Sequence, residues 1–440
     1  MDQKEEGRWQ FAFRALRSRN FRLFFAGQSV SLIGTWMTRV ATSWLVYRLT
    51  KSPFLLGAVS FAGQIPLFFL APIAGVWVDR SNRHRLLILT QVLSMVQSLL
   101  LAALALTEVI TIWQLVILML LQGLINAVDM PVRQSFLVQM VDNRDELPNA
   151  IALNSSMVNA ARLVGPAVAG VIIGSVGEGP CFLIDGISYL AVIASLLVMR
   201  VGPQPPRTEK KNTLEELTEG WRYVSGSESI RTILLLLALI SLLGMPYTVL
   251  MPIFAGQILH GGPHTLGYLM AAIGVGALIG AIGLAVRKTV LGLGRVIPLS
   301  AAILGVALIG FALSRSLWLS MALLLATGYG MMRNLAASNT LLQTILEEGK
   351  RGRVMSFYSM AFAGMSPFGS LLAGVAAARV GAPVTVVASG VFCIAGALLF
   401  TRQLPRMREQ IRPLYVQLGI LPAAVNAQVA SEVQTASPGQ

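Results

Sequence analysis

The sequence predicts an all-α integral membrane protein with twelve transmembrane helices in two pseudo-symmetric six-helix bundles. Three observations carry this. The 440-residue chain is 55% hydrophobic and 12% charged, about half the charged share of a soluble domain. Apolar runs long enough to cross a bilayer recur throughout, and about 20 residues of helix span its hydrocarbon. The longest polar stretch, residues 201–230 with Pro203, Pro205, Pro206, Lys210 and Lys211, splits those runs into two groups of six. Inside hydrocarbon every backbone polar group must be satisfied within its own segment, so the runs are read as helices.

In chain order the first six spans fall near 21–48, 54–78, 86–107, 110–135, 147–174 and 181–200. The second six fall near 231–257, 264–286, 295–313, 317–343, 353–379 and 381–402. The expected units are an N-terminal bundle with an amphipathic arm (1–200), a linker (201–230), a C-terminal bundle (231–402) and a tail expected to be disordered (403–440). Trp9, Phe13 and Leu16 in the arm share one helical face beside Arg8, Arg14 and Arg17, as in a helix lying on headgroups. In the linker, Asn212 and Glu215 have capping-box spacing ahead of Leu214, Leu217, Trp221 and Val224.

Charge sets the orientation. Of 34 basic residues, only Arg48, Lys51, Arg315 and Arg379 lie opposite the face carrying both termini, and Arg39, Arg162 and Arg333 lie inside spans. The positive-inside rule therefore places both termini in the cytoplasm. The formal charge of +14 reads as this bias plus attraction to anionic membrane lipids, not as a nucleic-acid surface. The polar N-terminus gives no sign of a cleavable signal. Cys181 and Cys393 lie in different halves and suggest neither a disulfide nor a metal site.

The segment Gly75-Val-Trp-Val-Asp79-Arg80-Ser-Asn-Arg83-His-Arg85-Leu-Leu87, between the second and third spans, resembles the signature loop of the major facilitator superfamily. It departs from that pattern at Trp77, Asn82 and His84. The second half has a degraded copy, with Arg287 where Asp79 stands in the first. Arg162-Leu-Val-Gly165-Pro166-Ala-Val-Ala169-Gly170 resembles the fifth-span motif of superfamily antiporters, and Ser366-Pro367-Phe-Gly369 with Gly374 echoes it about 200 residues on. Small residues allow close helix approach and Pro bends the helix, which suits both a gate and ordinary tight packing. Further stretches, Phe21 to Ser31, Ala127 to Ser135, Asn149 to Ser155 and Arg351 to Ser356, resemble the enterobactin-exporter-like branch, which includes drug and macrolide efflux proteins. Met119 stands where many superfamily antiporters place an arginine linked to proton coupling.

The resemblance implies alternating access about a central site, with Gly75, Asp79, Arg80, Arg83, Arg85, Gly165, Pro166 and Gly170 in the gates. Asp79 is expected to cap the eleventh span near Gly352 to Ser356, since a helix N-terminus favours negative charge. Ionisable residues inside spans are costly and are functional candidates by default. Asp129 and Arg133 are one helical turn apart, with Pro131 between them, and serve either as a coupling pair or as a structural tie. Asp185 is the alternative coupling carboxylate. Arg39, Arg162 and Arg333 point to an anionic or polyphenolic amphiphile, because guanidinium binds carboxylate and phenolate oxygens in a fork; they could equally tie helices together. Trp36, Trp44, Asn126, Tyr247, Met251, Asn334, Tyr358 and Met365 are candidate cavity residues.

These features point to a monomeric proton-driven exporter of small amphipathic molecules, with the proton gradient in place of any cofactor. Facilitated uptake is the alternative within transport. A subunit serving a nucleotide-binding partner, or a membrane-embedded enzyme, is the alternative outside it. Against the latter two, the chain has no phosphate-binding loop, and His84, His260 and His264 all fall in loops, which leaves no convergent catalytic set.

Overall fold

The computed structural model of the chain describes residues 13–201, 213–287, 289–418 and 420–421; for residues 71–76, 79, 80, 144, 213–217 and 348 it describes the backbone alone. The described residues form helices. The first half contains α1 (Arg19–Thr50), α2 (Pro53–Arg80), α3 (Arg83–Leu106), α4 (Ile112–Leu137), α5 (Leu147–Val176) and α6 (Gly179–Val198). After a linker helix (Thr213–Gly226) come α7 (Glu228–Ile258), α8 (Pro263–Ala285), α9 (Leu293–Leu313), α10 (Leu317–Ile345), α11 (Gly349–Val380) and α12 (Ala382–Gln417). Ten of these are long and apolar enough to cross a membrane. The other two, α1 and α10, have 32 and 29 residues, enough length at 1.5 Å per residue. They carry Arg39 and Arg333 in their interiors.

Local chemistry sets the ends and the breaks. Ser52 and Asn82 cap α2 and α3 by accepting backbone N–H groups, and Thr111 with Gln114 forms a capping box on α4. Two second-half helices are broken. The path of α7 widens into a π turn at Ile240–Gly244, tightens over Pro246–Leu250 and widens again at Phe254–Ile258. In α11 a π turn at Met360–Gly364 precedes Pro367. Pro246, Pro252 and Pro367 remove helical donors, and the wider turns absorb the mismatch.

Most boundaries lie close to the sequence expectation; the last helix does not. It continues past 402 to Gln417, because Leu404, Met407, Ile411 and Tyr415 form a helical stripe buried in the C-terminal core. Residues 403–417 are therefore ordered helix, and 422–440 lie outside the described residues. At the other end, Arg14–Arg17 form a single 3-10 turn with Ala15 buried. The Ala15 N–H donates to Asn149 Oδ1 at 3.0 Å and the Ser18 hydroxyl to Glu146 at 3.1 Å, fastening the arm to the start of α5. Arg8, Trp9 and the Asn212–Glu215 box lie outside the described residues or side chains. The linker helix leans on the start of α11 through Glu219–Arg353 at 2.5 Å and through Trp221, 6.1 Å from Phe357.

Two crossings join the halves on the face away from the termini. A methyl group built on Gly170 would sit 2.9 Å from the Cα of Gly267 and 3.0 Å from the Pro263 carbonyl. One built on Gly374 would sit 2.9 Å from the Cα of Gly57 and 2.8 Å from the Pro53 carbonyl. Thus α5 meets α8 as α11 meets α2, each through a glycine pair beside a helix-starting proline, as the internal repeat requires. Phe68 and Phe368 (5.2 Å) and the Ser366–Gln64 hydrogen bond (2.8 Å) continue the second crossing toward the middle. Nearer the termini the helices bare their ends: Ile151, Ser155 and Ser156 of α5, Ile282 of α8 and Ser356 and Ser359 of α11 are exposed. The halves are closed on the far face and apart on the terminal face.

Candidate functional site

Midway along α1, Trp36 packs its Cβ against Gly165 of α5, where any larger residue would collide. That contact sets two arginines around one indole. The Arg39 guanidinium lies 4.6 Å from the Trp36 ring centre and that of Arg162 lies 5.5 Å from it. Arg39 is exposed and Arg162 half-buried. An exposed arginine near the middle of a span must face water between the halves, not hydrocarbon. Neither side chain has an ion pair or hydrogen bond among the described residues. The Arg162 carbonyl is close to Gly274 of α8, so the cluster borders the other half. Tyr247, at the break in α7, is within electrostatic reach of Arg162 and has a buried hydroxyl without a partner among the described residues.

Two cations beside one ring repel each other, and each has lost part of its hydration. An anion between them removes both penalties, while the indole offers a face to an apolar or aromatic part of the same molecule.

The third span arginine is placed differently. Arg333 donates to the hydroxyl of Tyr329, one turn earlier on α10, and lies 5.3 Å from that ring. Arg333 thus has its aromatic partner within its own helix, whereas Arg39 shares Trp36 with Arg162 of α5. Asn334 is buried and donates to the Ile297 carbonyl at 2.9 Å. Met251 is fully buried, and Tyr358 is buried with its hydroxyl on the Leu335 carbonyl at 3.1 Å. Those three pack helices together and do not line the opening. Trp44 packs with its ring 5.2 Å from that of Tyr47, tilted by 50°, in the far-face core. Asn126 accepts from Gln122 at 3.2 Å and is half-buried, as is Met365 beside the break in α11.

The two carboxylates differ in the same way. Asp129 is ion-paired to Arg133 and accepts from Thr90 at 2.8 Å and Gln91 at 2.6 Å, which ties α4 to α3. Asp185 is 2% exposed and has hydroxyl partners: Ser98 of α3 at 2.7 Å, and Thr38 at 3.0 Å and Thr35 at 3.5 Å of α1. Thr38 adjoins Arg39, so this buried acid and the cation pair meet through one turn of α1.

Among the gate residues, Gly165 and Gly170 occupy the tight contacts described above, and Pro166 is buried between them. His84, which replaces the signature's lysine, has its Nε2 2.8 Å from the Leu196 carbonyl and packs on Phe136. Arg85 is exposed and Arg83 half-buried. Gly75 and the side chains of Asp79 and Arg80 are described by backbone alone, so the expected Asp79 contact with α11 lies outside the described side chains. Cys181 and Cys393 are free and buried. No cluster of potential metal ligands occurs among the described residues.

Comparison with known proteins agrees with this architecture. A staphyloferrin A transporter of Staphylococcus aureus is 26% identical over 383 residues, 86% of this chain and 95% of that protein. A multidrug efflux pump, Tap, of Mycolicibacterium fortuitum is 27% identical, covering 86% and 93%. Macrolide efflux protein A of Streptococcus pyogenes is 23% identical, covering 85% and 94%. Among solved structures, a bacterial homologue of the human lysosomal transporter Spinster, in an inward-facing unoccupied conformation, superposes with a TM-score of 0.68 at 15% identity, covering 89% and 98% of the two chains. A POT family transporter bound to 5-aminolevulinic acid gives 0.71 at 12% identity, covering 89% and 97%. The profile described as transmembrane secretion effector matches residues 10–429. With that match over nearly its whole length, the chain belongs to the transmembrane secretion effector family of major facilitator superfamily transporters.

Proposed function

We propose that the protein exports anionic, amphipathic small molecules across a bacterial inner membrane by alternating access, driven by proton antiport. The observation that carries this reading is the pair of arginines on Trp36, which faces the opening between the halves without a counter-charge. The efflux and siderophore-transport names of its relatives point the same way. With both termini in the cytoplasm, the open face is the cytoplasmic one, so substrate enters from inside the cell. An anion bridging Arg39 and Arg162 neutralises the site, which lets α7 and α10 of the other half approach it. The glycine crossings on the far face then part.

Coupling is assigned to Asp185 in preference to Asp129. Hydroxyl partners can accept from a carboxylic acid or donate to a carboxylate, so Asp185 can gain or lose a proton without breaking an ion pair. Asp129 would have to give up its ion pair with Arg133, losing a charge-assisted hydrogen bond each time it is protonated. Movement of α1 during closure changes the Thr35 and Thr38 contacts, which links the proton to the cation pair. Asp79 and Arg80 remain the proposed cytoplasmic gate, and the transporter works as a monomer without a bound cofactor.

Transport by the full-length protein in proteoliposomes tests this. An imposed proton gradient should drive net movement of an anionic amphiphile, ATP should be unnecessary, and collapse of the gradient should stop it. Gradient-independent equilibration would reassign the protein to facilitated diffusion. In cells, higher accumulation of the compound when the protein is present would reverse the direction.

A further inference from the structure

Away from the central site, the cytoplasmic extension of α12 covers a cavity of about 300 Å³ between the start of α9 and the end of α10. Leu341, Leu404 and Met407 form an apolar interior, and Arg295, Arg408 and Arg412 are its charged residues. No carboxylate lines it. Arg295 and Arg408 are exposed and have no ion pair or side-chain hydrogen bond among the described residues. Surface cations next to one another normally attract carboxylates from the same chain; among the described residues none pairs with Arg295 or Arg408.

The depth of the cavity identifies its occupant. Arg402 is the first charge after the apolar run of α12, and Arg408 follows six residues later, about 9 Å along a helix. Headgroup layers extend about 5–7 Å beyond the hydrocarbon on each side. Arg408 therefore sits at the outer margin of the cytoplasmic headgroups, and Leu404 and Met407 lie between it and the acyl chains. We infer that this cavity binds one anionic phospholipid, its phosphate held by Arg295 and Arg408 and the top of an acyl chain against Leu404 and Met407. The bound lipid fastens the α12 extension to α9, joining the C-terminal half to the inner leaflet while the other half moves.

Native mass spectrometry of the full-length protein with phosphatidylglycerol, phosphatidylcholine and soluble glycerol 3-phosphate tests the inference. One phosphatidylglycerol should be retained in preference to phosphatidylcholine. The Arg295→Gln/Arg408→Gln variant should lose about thirtyfold in affinity, two basic contacts having been removed. Arg295→Lys/Arg408→Lys, which keeps the charge, should recover most of it and shows that the fold tolerates both positions. Equal retention by the Gln variant, or equal binding of the zwitterionic lipid, would overturn the site. Glycerol 3-phosphate binding as tightly as the lipid would make it a free-phosphate site and overturn the lipid assignment.

Discussion

The two halves share one fold and use it differently. In the N-terminal half the helices are continuous and the unusual chemistry is in side chains: two unpaired arginines on Trp36, and an acid, Asp185, held by hydroxyls alone. In the C-terminal half the arginine is tied to Tyr329, the polar Asn334 is spent on a backbone carbonyl, and the irregularity is in the backbone, at the breaks in α7 and α11. The proposed alternating access needs a ligand-sensitive surface and a deformable one, and under that proposal the N-terminal half supplies the first and the C-terminal half the second.

The sharpest contrast is between the two carboxylates, and it carries the largest expected effect. Asp185→Asn should abolish uphill export while substrate binding and downhill exchange remain, because an amide cannot carry a proton between the two access states. Asp129→Asn should instead weaken the α3–α4 contact and lower thermal stability, by about 1.5 kcal/mol, the low end for a hydrogen bond to a charged group because Arg133 is a quarter exposed, with coupling retained in the protein that folds. Proton-driven uphill transport by Asp185→Asn in proteoliposomes would exchange these roles.

The crossings test the symmetry of the halves. Gly170→Val and Gly374→Val each place a branched side chain against backbone on the far face, where overpacking costs about 1–3 kcal/mol. Each should bias the protein toward the state open on that face, read as increased far-side labelling of cysteines placed beside the crossing. Because the two pairs are related by the repeat, the effects should match within a few-fold. A strong effect from one and none from the other would mean that only one crossing seals.

A smaller effect is expected at Arg333. Arg333→Gln removes a hydrogen bond to Tyr329, worth about 1 kcal/mol of stability, and should leave anion affinity nearly unchanged in an equilibrium binding assay. A tenfold loss of anion affinity would restore Arg333 to the binding site.

Much of the fold was legible because hydrophobic run length acts locally on sequence. The repeat was legible in Gly165–Pro166 and Pro367–Gly369. The extension of α12 was not: Leu404, Met407, Ile411 and Tyr415 are interspersed with Arg406, Arg408 and Arg412, so average polarity hid a helical stripe. For the site, charge inside a span singled out Arg39, Arg162, Arg333, Asp129 and Asp185, but partners decide what a charge does. The four-residue spacing of Tyr329 and Arg333 could have exposed that pair. The Ser98–Asp185 contact joins residues 87 apart in sequence, and only the packing of α1, α3 and α6 brings it about.

The central claim, that the cation pair on Trp36 selects anions, is tested most directly by measuring equilibrium affinities of one anionic amphiphile and its neutral ester for the purified protein and for Arg39→Gln, Arg162→Gln and Trp36→Leu. Each arginine variant should lose about 1.5–3 kcal/mol of affinity for the anion, the range for a charge-assisted hydrogen bond, and little for the ester; Trp36→Leu should weaken both. Equal losses for anion and ester in the arginine variants would contradict the account and make the two arginines ties between α1 and α5.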